Sequence, residues 1–141
     1  MFFGAAAITL SSNSERLIDQ LSSDFRRLDA RCMLFEVHAY VDEAEATGAA
    51  MDLDQRRAAS VVRAMRERGL GFTMIEHTHG KSQPLIPNPP GLSEPQNRRV
   101  HIRWRFAPDV SSRPDSRQEG IPGCRMVEVF LPDGTSCGFS L

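Results

Sequence analysis

The 141-residue chain is long enough for one domain with an apolar core and too short for two full ones. Its 17 basic and 18 acidic residues leave a formal net charge of −1, which excludes a general electrostatic pull toward nucleic acid or an anionic membrane surface, so any charged ligand must be held by a local arrangement. No apolar run approaches the roughly 18–20 residues of a membrane-spanning helix, and the opening MFFGAAAITL has neither the basic start nor the apolar length of a secretory signal.

In chain order, the short apolar stretch from Phe2 to Ala6 reads as a strand running into a turn. SSNSERLIDQLSSDFRRL follows with Leu17, Ile18, Leu21, Phe25 and Leu28 at helical spacing, and Ser12 with Glu15 fits a capping box. CMLFEVHAY alternates Met33, Phe35, Val37 and Ala39 against Leu34, Glu36, His38 and Tyr40, which predicts a strand over 32–40. A second helix over about 55–68 carries Ala58, Val61, Val62, Met65 and Leu70 on one face, with Asp54 as its cap and Gly69 or Gly71 at its end.

GFTMIEHTH predicts a third strand. After a Pro- and Gly-rich loop, RRVHIRWRF sends Val100, Ile102, Trp104 and Phe106 to a buried face and Arg99, His101, Arg103 and Arg105 to a wet one. Residues 107–122 read as a linker, and MVEVFLPDGTSCGFSL as a hairpin turning at PDG. Pairing Leu131 with Gly134 sets Cys137 opposite Glu128, so a Cys124–Cys137 bridge is not expected; Cys32 stands far from both, and no CxxC spacing occurs.

The elements assemble into an α/β (α+β) two-layer sandwich: a small mixed sheet with helices on one face, in βαβαβ-β order, followed by a C-terminal hairpin extension. The expected division is a domain over 1–106 and an extension over 107–141.

Catalytic motifs are weak. His77 and His79 share a strand face, but nothing at a fixed spacing completes a metal site; no serine sits in a GxSxG elbow, and GLGF lies at a helix end rather than a helix start. A binding protein without metal or cofactor is the better expectation. Arg57, placed in the first turn of the second helix, stands where free backbone N–H groups and the helix dipole favour an anion and can add a bidentate fork, so a carboxylate ligand is weighed against an internal ion pair.

Four segments, AYVD at 39–42, LDQRRA at 53–58, HGKSQPLIPN at 79–88 and NRRVHI at 97–102, follow one another in an order that resembles the OmpA C-terminal-like family, which includes peptidoglycan-associated lipoproteins and stator proteins of the MotB type. The resemblance spans about residues 2–106. It implies a non-catalytic module that anchors an envelope protein or assembly to peptidoglycan through the diaminopimelate of the stem peptide. Asp42 falls on the aspartate that grips the ammonium and Arg57 on the arginine that grips the carboxylate, while Asn97 and Arg98 border the same pocket. Leu53 and Ala58 match packing positions.

The chain departs from the family pattern where Gly-His-Thr-Asp becomes Ala39-Tyr40-Val41-Asp42, where an asparagine becomes Ala50 and where a serine becomes Asp54, and the loop 43–50 adds Glu43 and Glu45. These departures imply weak binding, or binding redirected to an amidated or otherwise modified stem peptide. The alternative is a degenerate scaffold or protein-interaction domain that no longer binds peptidoglycan. Envelope proteins and a second copy of the chain are further candidate partners; nucleic acid is not. The resemblance implies a periplasmic or cell-envelope location, so the chain is expected to be an excised domain whose parent supplies the export signal or anchor.

Overall fold

The structure is a computed structural model and describes residues 1–26, 28, 33–46, 52–106, 126–130 and 136–140. Among these residues its elements are α1 (Ser12–Phe25), β1 (Met33–Ala39), α2 (Leu53–Glu67), β2 (Thr73–Thr78), a 3₁₀ turn (Pro95–Asn97), β3 (Val100–Phe106), β4 (Met126–Phe130) and β5 (Ser136–Ser140). The linker expected at 107–122, the Pro-Asp-Gly turn, Ala50, Cys32 and Cys124 lie outside the described residues.

β1 is central in a three-stranded sheet of order β2-β1-β3, parallel to β2 and antiparallel to β3. Its strict alternation buries Met33, Phe35, Val37 and Ala39, which meet Ile18 of α1 and Ala58, Val61 and Met65 of α2 in one apolar cluster. The α+β two-layer architecture is therefore as the sequence pattern implies. At the far end of this core Phe25 packs edge-on against Phe35 at 5.4 Å and against Trp104 at 5.5 Å, but Trp104, expected on the buried face of its strand, is half exposed.

Several local expectations are corrected. Phe2–Ala6 is not a strand: Phe2 forms an isolated bridge with Arg99, Met1 pairs with Val100, and the chain then turns away, with Ala7 N donating to Gly4 O and Ala6 at a positive φ of 50°. The cap of α1 is Ser11, whose Oγ accepts from Ser14 N; Glu15 instead reaches Arg68. Leu17 and Leu28 are exposed, because the stripe that meets the sheet is centred on Ile18 and Leu21.

Helix α2 begins at Leu53, with Asp52 at the cap position and making no side-chain cap bond, and it ends where Gly69 takes a φ of +84°. In the hairpin, Val129 rather than Glu128 stands opposite Cys137, because Phe130 pairs with Ser136 and five residues rather than two separate the paired ends.

Candidate functional site

The site residues named from sequence lie where the C-terminal end of β1, the start of α2 and the loop before β3 come together. Arg57 is the fifth residue of α2, not a first-turn residue, and it falls at i, i+4, i+8 with Val61 and Met65 on the core-facing stripe. Its guanidinium is wholly buried. Glu45 grips it bidentately, with Nη1 donating to Oε2 at 2.7 Å and Nη2 to Oε1 at 2.8 Å. Nε also donates to Ala7 O and Nη2 to Gly4 O, and the Phe3 ring lies 5.2 Å from Cζ, so at least four of the five N–H donors are used.

Asp42 is equally enclosed, at 1 % exposure. Its Oδ1 accepts from Glu45 N at 2.8 Å, and its Oδ2 accepts from Arg98 Nη1 at 2.8 Å and from Ser93 Oγ and Glu94 N at 3.0 Å each. Burial pushes this carboxyl up, but the bonds from Glu45, Ser93, Arg98 and Glu94 outweigh it and hold its pKa below the ordinary value. The opposed charges are therefore two separate pairs, Arg57–Glu45 and Arg98–Asp42; Arg57 does not pair with Asp42. The two are linked through the turn that carries Asp42 and Glu45.

Asn97 is 1 % exposed and closes the long loop after β2. Its Oδ1 accepts from Leu85 N and Ile86 N, and its Nδ2 donates to Ile86 O and Asn88 Oδ1. Arg98 also donates from Nε to Phe3 O, tying the same loop to the N-terminal segment. Asp54, expected as the cap of α2, instead accepts from Gln55 N and from Gly80 N across to the end of β2. Leu53 and Ala58 are buried packing residues, as their positions imply.

The outer sheet face is not a simple wet row. Arg103 and Arg105 are exposed, but Arg99 is buried over the Tyr40 ring at 3.9 Å and donates to Gln83 O and to His101 Nε2. All four histidines of the chain meet there: His38 stacks on His77 at 4.5 Å, His38 Nδ1 lies 2.9 Å from His79 Nε2, and Tyr40 stacks on His79 and meets His101 edge-on. Burial is the main cause that lowers the pKa of His38, His79 and His101; neighbouring His77 acts on the first two and Arg99 on the third. Among the described residues no group of three or more His, Cys, Asp or Glu is arranged to hold a metal.

Sequence reasoning missed the role of Glu45 as the partner of Arg57, and that of Ser93 as a partner of Asp42. Only one signal pointed to Glu45: an arginine on a core-facing stripe requires a buried carboxylate, and Glu45 is an acid in the adjoining loop. Ser93 had none.

No family model matches the chain, and no curated protein does. Solved structures do. The chain is similar to the peptidoglycan-associated lipoprotein from Burkholderia pseudomallei, at 21 % identity and a TM-score of 0.63, over 74 % of this chain and 87 % of that one. It is similar to the OmpA-like domain of FopA1 from Francisella tularensis, at 22 % identity and a TM-score of 0.57, over 76 % and 70 %. A third likeness is to the cell wall anchor of the T6SS from Pseudomonas aeruginosa, at 19 % identity and a TM-score of 0.56, over 75 % of each chain. These are likenesses of fold: the chain has the fold of OmpA-like domains.

Proposed function

We propose that residues 1–106 form a non-catalytic peptidoglycan-binding module that anchors a cell-envelope protein or assembly to the cell wall, with 107–141 an extension of it. The reading is supported by structural neighbours whose names connect them to peptidoglycan and to a cell wall anchor. The observation that carries it within this chain is the convergence of Asp42, Arg57, Asn97 and Arg98 where the end of β1, the start of α2 and the loop before β3 meet. The ligand would be a stem peptide bearing diaminopimelate, whose free end is a zwitterion. Asp42 would take its ammonium and Arg57 its carboxylate, with Asn97 and Arg98 holding the surrounding loop. The location that goes with this function is the periplasm or cell envelope.

A second reading, a scaffold of the same fold without the glycan ligand, is favoured by the saturation of both charged anchors. Asp42 accepts four internal hydrogen bonds and Arg57 makes at least four. Co-sedimentation of the full chain with purified sacculi separates the two, coupled to nuclear magnetic resonance titration with a diaminopimelate-containing tripeptide. Retention in the pellet, with shift changes at Asp42, Arg57 and Asn97, is the expected result. A chain that stays in the supernatant and shows no shift change is the scaffold.

A further inference from the structure

Arg57 already holds a carboxylate. A guanidinium enclosed on all sides, with two parallel N–H bonds of 2.7 and 2.8 Å to one carboxyl group, is a filled carboxylate site. Of the two partners, Glu45 is the one able to leave. The Gly4 and Ala7 carbonyls hold the guanidinium through two further bonds that do not use the Glu45 carboxylate, so Arg57 stays tethered at Nε and Nη2 when that carboxylate departs, although Ala6 N between them loses its acceptor. Glu45 keeps 8 % exposure and rides on a short turn, held by Ala6 N donating to Oε1 at 2.9 Å and by its own N–H donating to Asp42 Oδ1.

We propose that Glu45 is an internal carboxylate ligand occupying the anion end of the stem-peptide site, so that a ligand carboxylate reaches Arg57 only by displacing it; this rests on the reading given under Proposed function. Asp42 couples the two ends. The same carboxylate that would receive a ligand ammonium pins the turn that presents Glu45. An ammonium that draws Asp42 away from Glu45 N loosens that turn and frees Arg57 for the ligand's other charge, so the site opens to a zwitterion and resists a simple anion.

The test uses the full 141-residue chain as wild type, Glu45→Ala and Glu45→Gln, with acetate and a diaminopimelate-containing tripeptide as separate probes. Acetate is expected to raise the melting temperature of Glu45→Ala in a dose-dependent way and to leave the wild type unmoved. The tripeptide is expected to bind at least tenfold more tightly to the Glu45 variants than to the wild type. Glu45→Gln keeps an acceptor for Ala6 N and the shape of the side chain, so it serves if the alanine form does not fold. Equal tripeptide affinity in wild type and variants, with no differential effect of acetate, overturns the proposal and leaves peptidoglycan binding standing. Acetate stabilisation of Glu45→Ala with no tripeptide binding by any form upholds Glu45 as a displaceable carboxylate and overturns the stem-peptide reading instead.

Discussion

Two polar clusters flank the sheet, and they solve burial in opposite ways. At the mouth of β1 each cationic group is paired with a carboxylate: Arg57 with Glu45, and Arg98 with Asp42. On the outer face the imidazoles shed charge: His38, His79 and His101 have lowered pKa values, and the Nε2 atoms of His38 and His77 are enclosed with no hydrogen-bond partner. The geometry acts in the same direction, keeping His101 and at least one ring of the His38–His79 pair neutral. His101 Nε2 accepts from Arg99, and one nitrogen of the His38–His79 contact must be unprotonated for the other to donate. Paired charges depend on a particular partner, whereas neutral rings depend on pH.

The sharpest way to break the first cluster is to remove one partner. Arg57→Ala strands a buried Glu45 carboxylate and is expected to cost about 3–5 kcal/mol, a large part of a domain's stability. Chemical denaturation reads this directly. The double variant Glu45→Leu/Arg57→Met is expected to be far less damaging than the two single losses combined, because no unpaired charge is left behind. Asn97→Ala comes next. It leaves the Leu85 and Ile86 amides without their acceptor, at a cost of about 1–3 kcal/mol, with faster hydrogen exchange at those two amides.

The second cluster is probed by pH, with a smaller effect because its rings are only partly enclosed. A histidine whose folded pKa lies below its unfolded value of 6.5 binds fewer protons folded than unfolded in the interval between them. Its contribution is therefore complete above 6.5 and is lost as pH falls through the lowered folded value. Urea midpoints are expected to drop between pH 7.5 and 5.5, and His38→Gln to flatten that slope. Asp42 does not confuse the result, since its contribution fails only below the ordinary carboxylate value of 3.8.

How much of this was legible depended on how local the cause was. The β1 alternation and the α2 stripe are set by side-chain periods of 2 and 3.6, so Phe35, Val37, Ala58, Val61 and Met65 could be assigned to the core from sequence. Arg99 could not be assigned. The same period put it on the wet face, and only the return of the loop after β2, which brings Gln83 O to it and sets it over Tyr40, buries it. The order of motifs brought Asp42, Arg57, Asn97 and Arg98 into view. Their partners arise from three segments meeting in space, and no spacing along the chain encodes that Glu45 rather than Asp42 faces Arg57. The abortive first strand fails for a related reason: two residues pair, and the chain then turns so that the Gly4 and Ala7 carbonyls serve Arg57.

The smallest expected effect comes from charges of the same kind placed at the surface, and it isolates what burial contributes. Arg68 bridges the helices by pairing with Glu15 and Asp19 of α1, but Glu15 and Asp19 are 43 % and 60 % exposed. Water already solvates these groups, so Arg68→Ala is expected to cost no more than about 1 kcal/mol, largely abolished when salt is raised to about 1 M and the screening length falls to about 3 Å. Arg57→Ala should keep its full cost at the same salt, because no ions reach between a wholly enclosed guanidinium and Glu45. Equal salt sensitivity of the two losses, measured as the shift in urea midpoint, would show that the Arg57 pair is solvated in solution and that the contrast between the clusters is not one of burial.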